Sequence, residues 1–68
     1  MDGLDFYRRI SDLAPEYLKE NGLLFFEIGC DQAYAVQRIM AERGFFELSV
    51  VKDLAGLDRV VRGRLKGK

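Results

Sequence analysis

An apolar run that ends in a glycine constrains the fold of this chain more than any other segment. Residues 23–28 are apolar except for Glu27, and Gly29, Cys30 and Asp31 follow directly. A continuous apolar run of this length is typical of a strand that is covered on both faces in an α/β sheet. Gly29 then ends the strand, and Asp31 is suited to cap the next helix. The segment therefore predicts a strand-to-helix turn, and such turns line ligand clefts in α/β proteins.

The same turn also resembles the opening of a glycine-rich cofactor loop. In such loops two glycines are placed so that the backbone can approach the ligand closely. Glu27 and Gly29 fit the start of the pattern, but Asp31 stands where the second glycine is needed. A carboxylate at that position would repel a phosphate or a carboxylate of the ligand. We therefore interpret residues 29–32 as a capped turn and not as a cofactor loop.

The length and the cysteine count limit what the chain can do alone. Its 68 residues suffice for one small domain at most. With one cysteine, Cys30, and no histidine, an internal disulfide and a Ser-His or Cys-His nucleophile are excluded, and we expect no zinc site. Further burial would then come from another protein, a second copy, or the rest of a longer polypeptide. A lone free cysteine favours a reducing, cytoplasmic location.

The charges balance overall but not along the chain. Eleven basic and eleven acidic residues cancel, so we predict no specific nucleic-acid partner. Residues 59–68 nevertheless carry five basic residues and no acidic one. Two interpretations of this basic end are open: a solvated end of the last strand, which we favour, and a phosphate-binding arm. No apolar run is long enough to cross a bilayer and no signal peptide begins the chain, so we predict no membrane partner.

Hydrophobic periodicity predicts two helices. The first covers residues 4–18 and should break at Pro15, which cannot donate a backbone hydrogen bond. The second covers residues 32–43 and should end at Gly44. The apolar positions of the first helix are Phe6, Ile10, Leu13 and Tyr17, and those of the second are Ala33, Val36, Ile39 and Met40.

Three strands complete an α/β fold in the order helix, strand, helix, strand, strand. Residues 46–52 alternate between apolar and polar side chains, as in an edge strand, and residues 59–65 form a short last strand. The helix between the first two strands predicts that they are parallel through a right-handed crossover. The short loop of residues 53–58 predicts that the last strand is antiparallel to the strand before it.

This topology brings two segments to one edge of the sheet. Because the first two strands point the same way, the turn after Ile28 and the loop after Lys52 should emerge together at the carboxyl edge, where α/β sheets bind ligands. The loop is therefore a candidate functional site. The alternative is a self-contained turn in which Asp53 or Asp58 pairs with Arg59 and Gly56 supplies a positive φ angle.

Several motifs in one order connect the chain with a known family. They are DGLDFYRRI at residues 2–10, LLFFEIG at 23–29, DQ at 31–32, AV at 35–36 and DLAGLDRVV at 53–61. Together they resemble the C-terminal end of the HemK/PrmC family, whose members methylate a glutamine side chain in peptide chain release factors. The resemblance spans nearly the whole chain, and it implies that residues 1–68 are a single C-terminal subdomain of a larger methyltransferase domain.

The resemblance implies a partial class I methyltransferase sheet of Rossmann-like type. The three strands would be the fifth, sixth and seventh of that sheet. The last strand would lie antiparallel between the other two, giving a three-stranded mixed sheet. The parent enzyme would use S-adenosylmethionine and act on a release factor. The family's glycine-rich loop, acidic ribose-binding residue and Asn-Pro-Pro-Tyr motif do not occur here. We therefore expect no catalytic residue, no cofactor binding and no activity from this segment alone.

The resemblance also implies where this segment would contribute. It would wall the substrate side of the cleft, and its partners would be the remainder of the methyltransferase chain and a release factor. Residues 23–28 would lack a neighbouring strand, so a homodimer through this edge is expected. The alternative function is a stand-alone α/β protein-interaction module. The residues assigned to the cleft are Gly29, Asp31, Gln32, Asp53 and Arg59.

Overall fold

The computed structural model describes residues 3–67 of the chain. Asp2, in the first family motif, and Lys68, in the basic end, lie outside the described residues. The element order helix, strand, helix, strand, strand is confirmed. The elements are α1 (Asp5–Leu13), a short 3₁₀ turn (Ala14–Glu16), β1 (Leu23–Glu27), α2 (Ala33–Glu42), β2 (Phe45–Lys52) and β3 (Asp58–Leu65).

The three strands form one sheet with β3 in the middle. The order is β1-β3-β2, and both hydrogen-bonded pairs are antiparallel. In register, Phe26 of β1 and Val50 of β2 both lie opposite Val61 of β3. β1 and β2 therefore run in the same direction with β3 reversed between them, as predicted, and both hydrogen-bonded pairs of the predicted mixed sheet are antiparallel.

The first helix breaks where the sequence predicts, but a different face is buried. α1 ends at Leu13, and Pro15 lies in the 3₁₀ turn that follows. Phe6 is 63% exposed and Tyr17 81% exposed, so the predicted apolar face is wrong for these residues, whereas Ile10 packs against the core as predicted. Tyr7, Ser11 and Ala14 are buried instead. The physical reason is Tyr7, whose ring packs edge-on against Phe26 with 5.0 Å between ring centroids and whose hydroxyl finds acceptors in the interior.

The second helix supplies the centre of the core. All four predicted positions are buried, and Val36 and Met40 are fully enclosed. The helix ends before Gly44, whose φ angle of 93° confirms the predicted stop. Side chains of α2 pack with Phe26 and Val61 from the sheet in a single hydrophobic cluster.

Both helices lie on one face of the sheet and leave the other face open. α1 reaches the sheet through Tyr7 and Phe26, and the same face carries α2. On the open face Leu23 is 43% and Phe25 54% exposed. The prediction that the first strand is covered on both faces is therefore wrong for the described residues, because both helices that this chain supplies pack on the same side.

β2 lies at the edge of the sheet, as predicted, but its alternation is interrupted. The strand begins one residue earlier than expected, at the buried Phe45, and its register shifts between Phe46 and Ser49. Glu47 in this bulge has a positive φ angle of 50°. The bulge brings the Glu47 carboxylate to 3.0 Å from Nε of Arg64 on β3.

Candidate functional site

The turn after β1 is closed by Gln32. The amide N–H of Gln32 donates to the carbonyl of Gly29 at 3.0 Å, and the N–H of Gly29 donates to the Gln32 side-chain oxygen, Oε1, at 2.8 Å. α2 begins at Ala33 with Gln32 in the cap position, so the predicted capping by Asp31 is wrong. The backbone hydrogen bond between residues 29 and 32 places Asp31 inside the turn. Gln32 is long enough to reach back to Gly29.

Tyr7, on the first helix, stabilises this turn through its hydroxyl group. Its hydroxyl lies 3.1 Å from Oε1 of Gln32 and 3.2 Å from the carbonyl oxygen of Glu27 at the end of β1. Sequence analysis missed this role, because 25 residues separate Tyr7 from Gln32 and no local pattern joins them. The one available signal is that a buried tyrosine hydroxyl requires a hydrogen-bond partner.

The loop after β2 is a self-contained turn organised by Asp53. Its Oδ1 accepts hydrogen bonds from the backbone N–H of Ala55 at 2.9 Å and of Leu57 at 3.0 Å. Its Oδ2 lies 2.8 Å from Nε of Arg59. Gly56 has a φ angle of 85°, as the sequence suggests for a tight turn. The self-contained turn of the alternative interpretation is therefore formed, and the use of this loop as a functional site stays a prediction.

Asp58 forms an ion pair with Lys52, and Asp53 forms an ion pair with Arg59. The hydrogen bond from Arg59, helped by the backbone donor of Leu57, holds the pKa of the Asp53 carboxyl below its ordinary value. In return the hydrogen bond to Asp53 raises the pKa of the Arg59 guanidinium. The pair thus places two opposite charges in contact at this edge of the sheet.

The turn and the loop meet at one edge of the sheet, as the parallel directions of β1 and β2 predict. The N–H of Ile28 donates to the carbonyl oxygen of Arg59 at 2.9 Å. The exposed Cys30 lies near enough to Arg59 to affect its pKa, although less than Asp53 does. Four of the five predicted site residues thus form two hydrogen-bonded pairs, Gly29 with Gln32 and Asp53 with Arg59. The hydrogen bond between Ile28 and Arg59 connects the two pairs. Asp31 is exposed in the same turn.

This arrangement offers hydrogen-bonding surface and a fixed charge pair. Within residues 3–67, no group of three or more histidine, cysteine or acidic side chains is placed to hold a metal ion. No helix among the described residues is long and apolar enough to cross a membrane.

The lowered pKa of Asp53 leads to a testable prediction. Titration of the carboxyl carbons by NMR should give a pKa for Asp53 below its ordinary value, and Arg59→Gln should raise it. Because the folded-state pKa is depressed, the stabilisation from this pair is present above the unfolded-state pKa and is lost as the pH falls through the folded-state pKa. Lys52→Gln is the matched control, since Lys52 pairs with Asp58. A titration of Asp53 that is the same with and without Arg59 would contradict the assignment.

Comparison with known proteins connects this fold and site to methyltransferases. No protein-family model matches the chain. It is 55% identical over 60 residues to the release factor glutamine methyltransferases of Thermodesulfovibrio yellowstonii and Fusobacterium nucleatum. These matches cover 88% of this chain but only 22% and 17% of the two relatives. A relative with the same description from Geobacter sulfurreducens is 47% identical over 64 residues, which are 94% of this chain and 22% of that protein.

A solved structure shares the fold. The crystal structure of the release factor-specific protein-(glutamine-N5) methyltransferase from Alicyclobacillus acidocaldarius superimposes with a TM-score of 0.75 at 43% sequence identity. The match covers 96% of this chain and 42% of that chain. The fold is thus part of a class I methyltransferase sheet. In sequence and structure the chain corresponds to one segment of release factor glutamine methyltransferases, which confirms the family resemblance drawn from the motifs.

Proposed function

We propose that this chain is the C-terminal segment of an S-adenosylmethionine-dependent, HemK/PrmC-type methyltransferase that modifies a glutamine of peptide chain release factors. The proposal rests on one combined observation: the chain is 55% identical to two such enzymes and also shares the fold of a third. The chain spans about a fifth of the curated relatives, so the activity belongs to a larger protein that includes this segment. The free thiol of Cys30 supports a cytoplasmic location.

Within that protein the segment would complete the sheet and wall the substrate side of the cleft. The turn of residues 29–32 and the loop of residues 53–59 lie at the carboxyl edge of β1 and β2, where α/β sheets bind ligands. Both are held by internal hydrogen bonds, through Gln32 in the turn and through Asp53 in the loop. Ordered segments suit a cleft that must hold a flexible protein segment in one position.

The described residues do not fit S-adenosylmethionine by themselves. A cofactor loop needs backbone N–H groups that are available to the ligand, whereas the N–H of Gly29 is already bonded to Gln32. Asp31 would also place an exposed carboxylate against the carboxylate of the ligand. The cofactor would therefore be held by the remainder of the methyltransferase chain, and the isolated segment should be inactive.

A chimera tests the proposed function. Residues 3–67 of this chain would replace the matched segment of the Alicyclobacillus acidocaldarius enzyme, and methylation of a release factor would be measured with labelled S-adenosylmethionine. We expect turnover by the chimera and none by the same protein with the segment deleted. Calorimetry should show no binding of S-adenosylmethionine to the isolated chain. A folded chimera without turnover, or micromolar binding of the cofactor by the isolated chain, would contradict the corresponding claim.

One observation favours a second function, that of a small protein-interaction module. β1 is an edge strand whose side away from β3 has no partner strand within residues 3–67, and Phe25 on it is 54% exposed. Exposed edges of this kind recruit further strands. A coding sequence that continues upstream with a glycine-rich loop and an Asn-Pro-Pro-Tyr motif would favour the enzyme. An upstream sequence without them would favour the module.

The same edge leads to a prediction for the isolated chain. At tens of micromolar, sedimentation equilibrium should show dimers formed by pairing of two β1 edges, because unpaired backbone groups and apolar side chains line that strand. Phe25→Lys should shift the population to monomers through repulsion between like charges. Val51→Lys, on the exposed face of the opposite edge strand, is the matched control and should leave the dimer intact. A clean monomer of the unsubstituted chain would contradict the prediction.

A further inference from the structure

The side-chain amide of Gln32 has a defined orientation. The N–H of Gly29 lies 2.8 Å from the amide oxygen Oε1. A backbone N–H can only donate, so the amide atom that faces Gly29 must be the oxygen and not the nitrogen. The single hydroxyl proton of Tyr7 is shared between this oxygen, at 3.1 Å, and the carbonyl oxygen of Glu27, at 3.2 Å. The amide nitrogen Nε2 is then the other end of the group, and within residues 3–67 it has no hydrogen-bond partner.

Residues from three parts of the fold stabilise this orientation of the amide. Tyr7 on α1 is only 9% exposed, and its ring packs against Phe26 of β1. Gly29 follows β1, and a Cβ atom there would lie 3.2 Å from Oε1 of Gln32, so the missing side chain leaves room for the amide. Gln32 itself precedes α2. Ordering a glutamine side chain costs conformational entropy. An ordered amide with an unused donor is what a binding group requires.

We propose that Gln32 is a substrate-binding residue, with Tyr7 as the residue that positions it. Nε2 donates a hydrogen bond to a carbonyl oxygen of the protein segment that presents the target glutamine. This inference rests on the proposed function. It is supported by the place of Gln32 at the carboxyl end of β1, beside the loop that Asp53 and Arg59 fix. A peptide carbonyl accepts hydrogen bonds but does not donate them, which matches the single unused group of Gln32.

Two substitutions of Gln32 separate binding from structural support. In the chimera described above, Gln32→Glu keeps an acceptor oxygen for Gly29 and Tyr7 but removes the N–H donor. Gln32→Met is close in size and removes both. For Gln32→Glu we expect thermal stability and the KM for S-adenosylmethionine near those of the unsubstituted chimera. We expect kcat/KM for the release factor to fall about 10-fold, the usual effect of losing one hydrogen bond to substrate.

Tyr7→Phe provides an independent second variant. It retains the packed ring and the Nε2 donor but removes one of the two contacts that hold the amide. We expect a fall of about 3-fold in kcat/KM for the release factor, with the KM for the cofactor unchanged. Gln37→Glu, on α2 and outside the turn and the loop, introduces the same charge as Gln32→Glu; it is the control and should have little effect.

The outcomes distinguish the inference from the proposed function. Activity of Gln32→Glu equal to that of the unsubstituted chimera would overturn the inference, since only the acceptor role would then matter. A loss confined to thermal stability in Gln32→Met and Tyr7→Phe would overturn it as well. An unsubstituted chimera that folds without turnover would contradict the proposed function, and the inference would fall with it.

Discussion

Met40→Ala should lower the free energy of unfolding of this chain by about 3 kcal/mol, the middle of the range for deleting a buried methionine side chain. Met40 is fully enclosed in the cluster that joins α2 to the sheet. The alanine would leave a cavity that the surrounding strands can fill only in part. A chain of this size has a total stability of roughly 3–10 kcal/mol, so the variant should lose about a third or more of its stability.

Urea unfolding followed by far-ultraviolet circular dichroism measures this change. Met40→Leu is the matched control, because it conserves volume and should cost less than about 1.5 kcal/mol. Both variants should be compared at one low concentration, so that self-association does not contribute to the apparent stability. A loss for Met40→Ala no larger than for Met40→Leu would show that this side chain is not packed as described.

Met40 also shows which parts of the fold are predictable from sequence. Its position in the periodic stripe of residues 33–40 identified the buried face of α2 correctly, because a regular helix turns any i, i+3, i+4 set to one side. For α1 the same argument held only for Ile10, which packs against the core. There Phe6 fits the period, but Tyr7 is buried because its hydroxyl meets Glu27 and Gln32 across the fold. Periodicity alone therefore did not identify the buried face of α1, because it takes no account of these tertiary hydrogen bonds.

The candidate site was likewise predictable from the sequence only in part. That the turn and the loop share an edge follows from strand direction alone, and Arg59 and Ile28 are indeed joined there. The hydrogen bonds within the turn and within the loop depend on detailed backbone geometry, which strand direction does not give. Sequence reasoning assigned the cap to Asp31, a standard capping residue, whereas the turn closes one residue later at Gln32. The pairing of Asp53 with Arg59 was one of two open alternatives, since Asp58 is equally near in sequence.

The open face of the sheet differs from the prediction for another reason. The run of residues 23–28 is that of a strand covered on both sides, yet Leu23 and Phe25 are exposed. The pattern is consistent with a larger protein, of which this chain supplies the helices for one face. Sequence patterns report the environment in which a strand functions, and a segment that spans about a fifth of its relatives need not contain all of that environment.

Gly63→Val should destabilise the chain by about 3 kcal/mol, near the upper end of the usual cost of overpacking a core. Gly63 lies in the central strand β3 on the face that carries the helices. A Cβ atom there would overlap Cδ2 of Leu48 and would lie 2.9 Å from Cε of Met40 and 3.4 Å from Cβ of Phe45. Glycine is thus favoured at this position because of space and not because of its φ angle, since its backbone is that of an ordinary strand.

A double substitution tests this explanation directly. Gly63→Ala alone should cost about 1–2 kcal/mol, because the ends of Leu48 and Met40 can move aside only in part. In the Met40→Ala background one of the two close atoms is absent, so the cost of Gly63→Ala should fall by about 1 kcal/mol. Arg62→Lys, in the same strand but with its side chain exposed, is the control and should change stability little. Additive costs for Met40→Ala and Gly63→Ala would mean that the two residues do not share one space, and the packing of α2 on β3 would need revision.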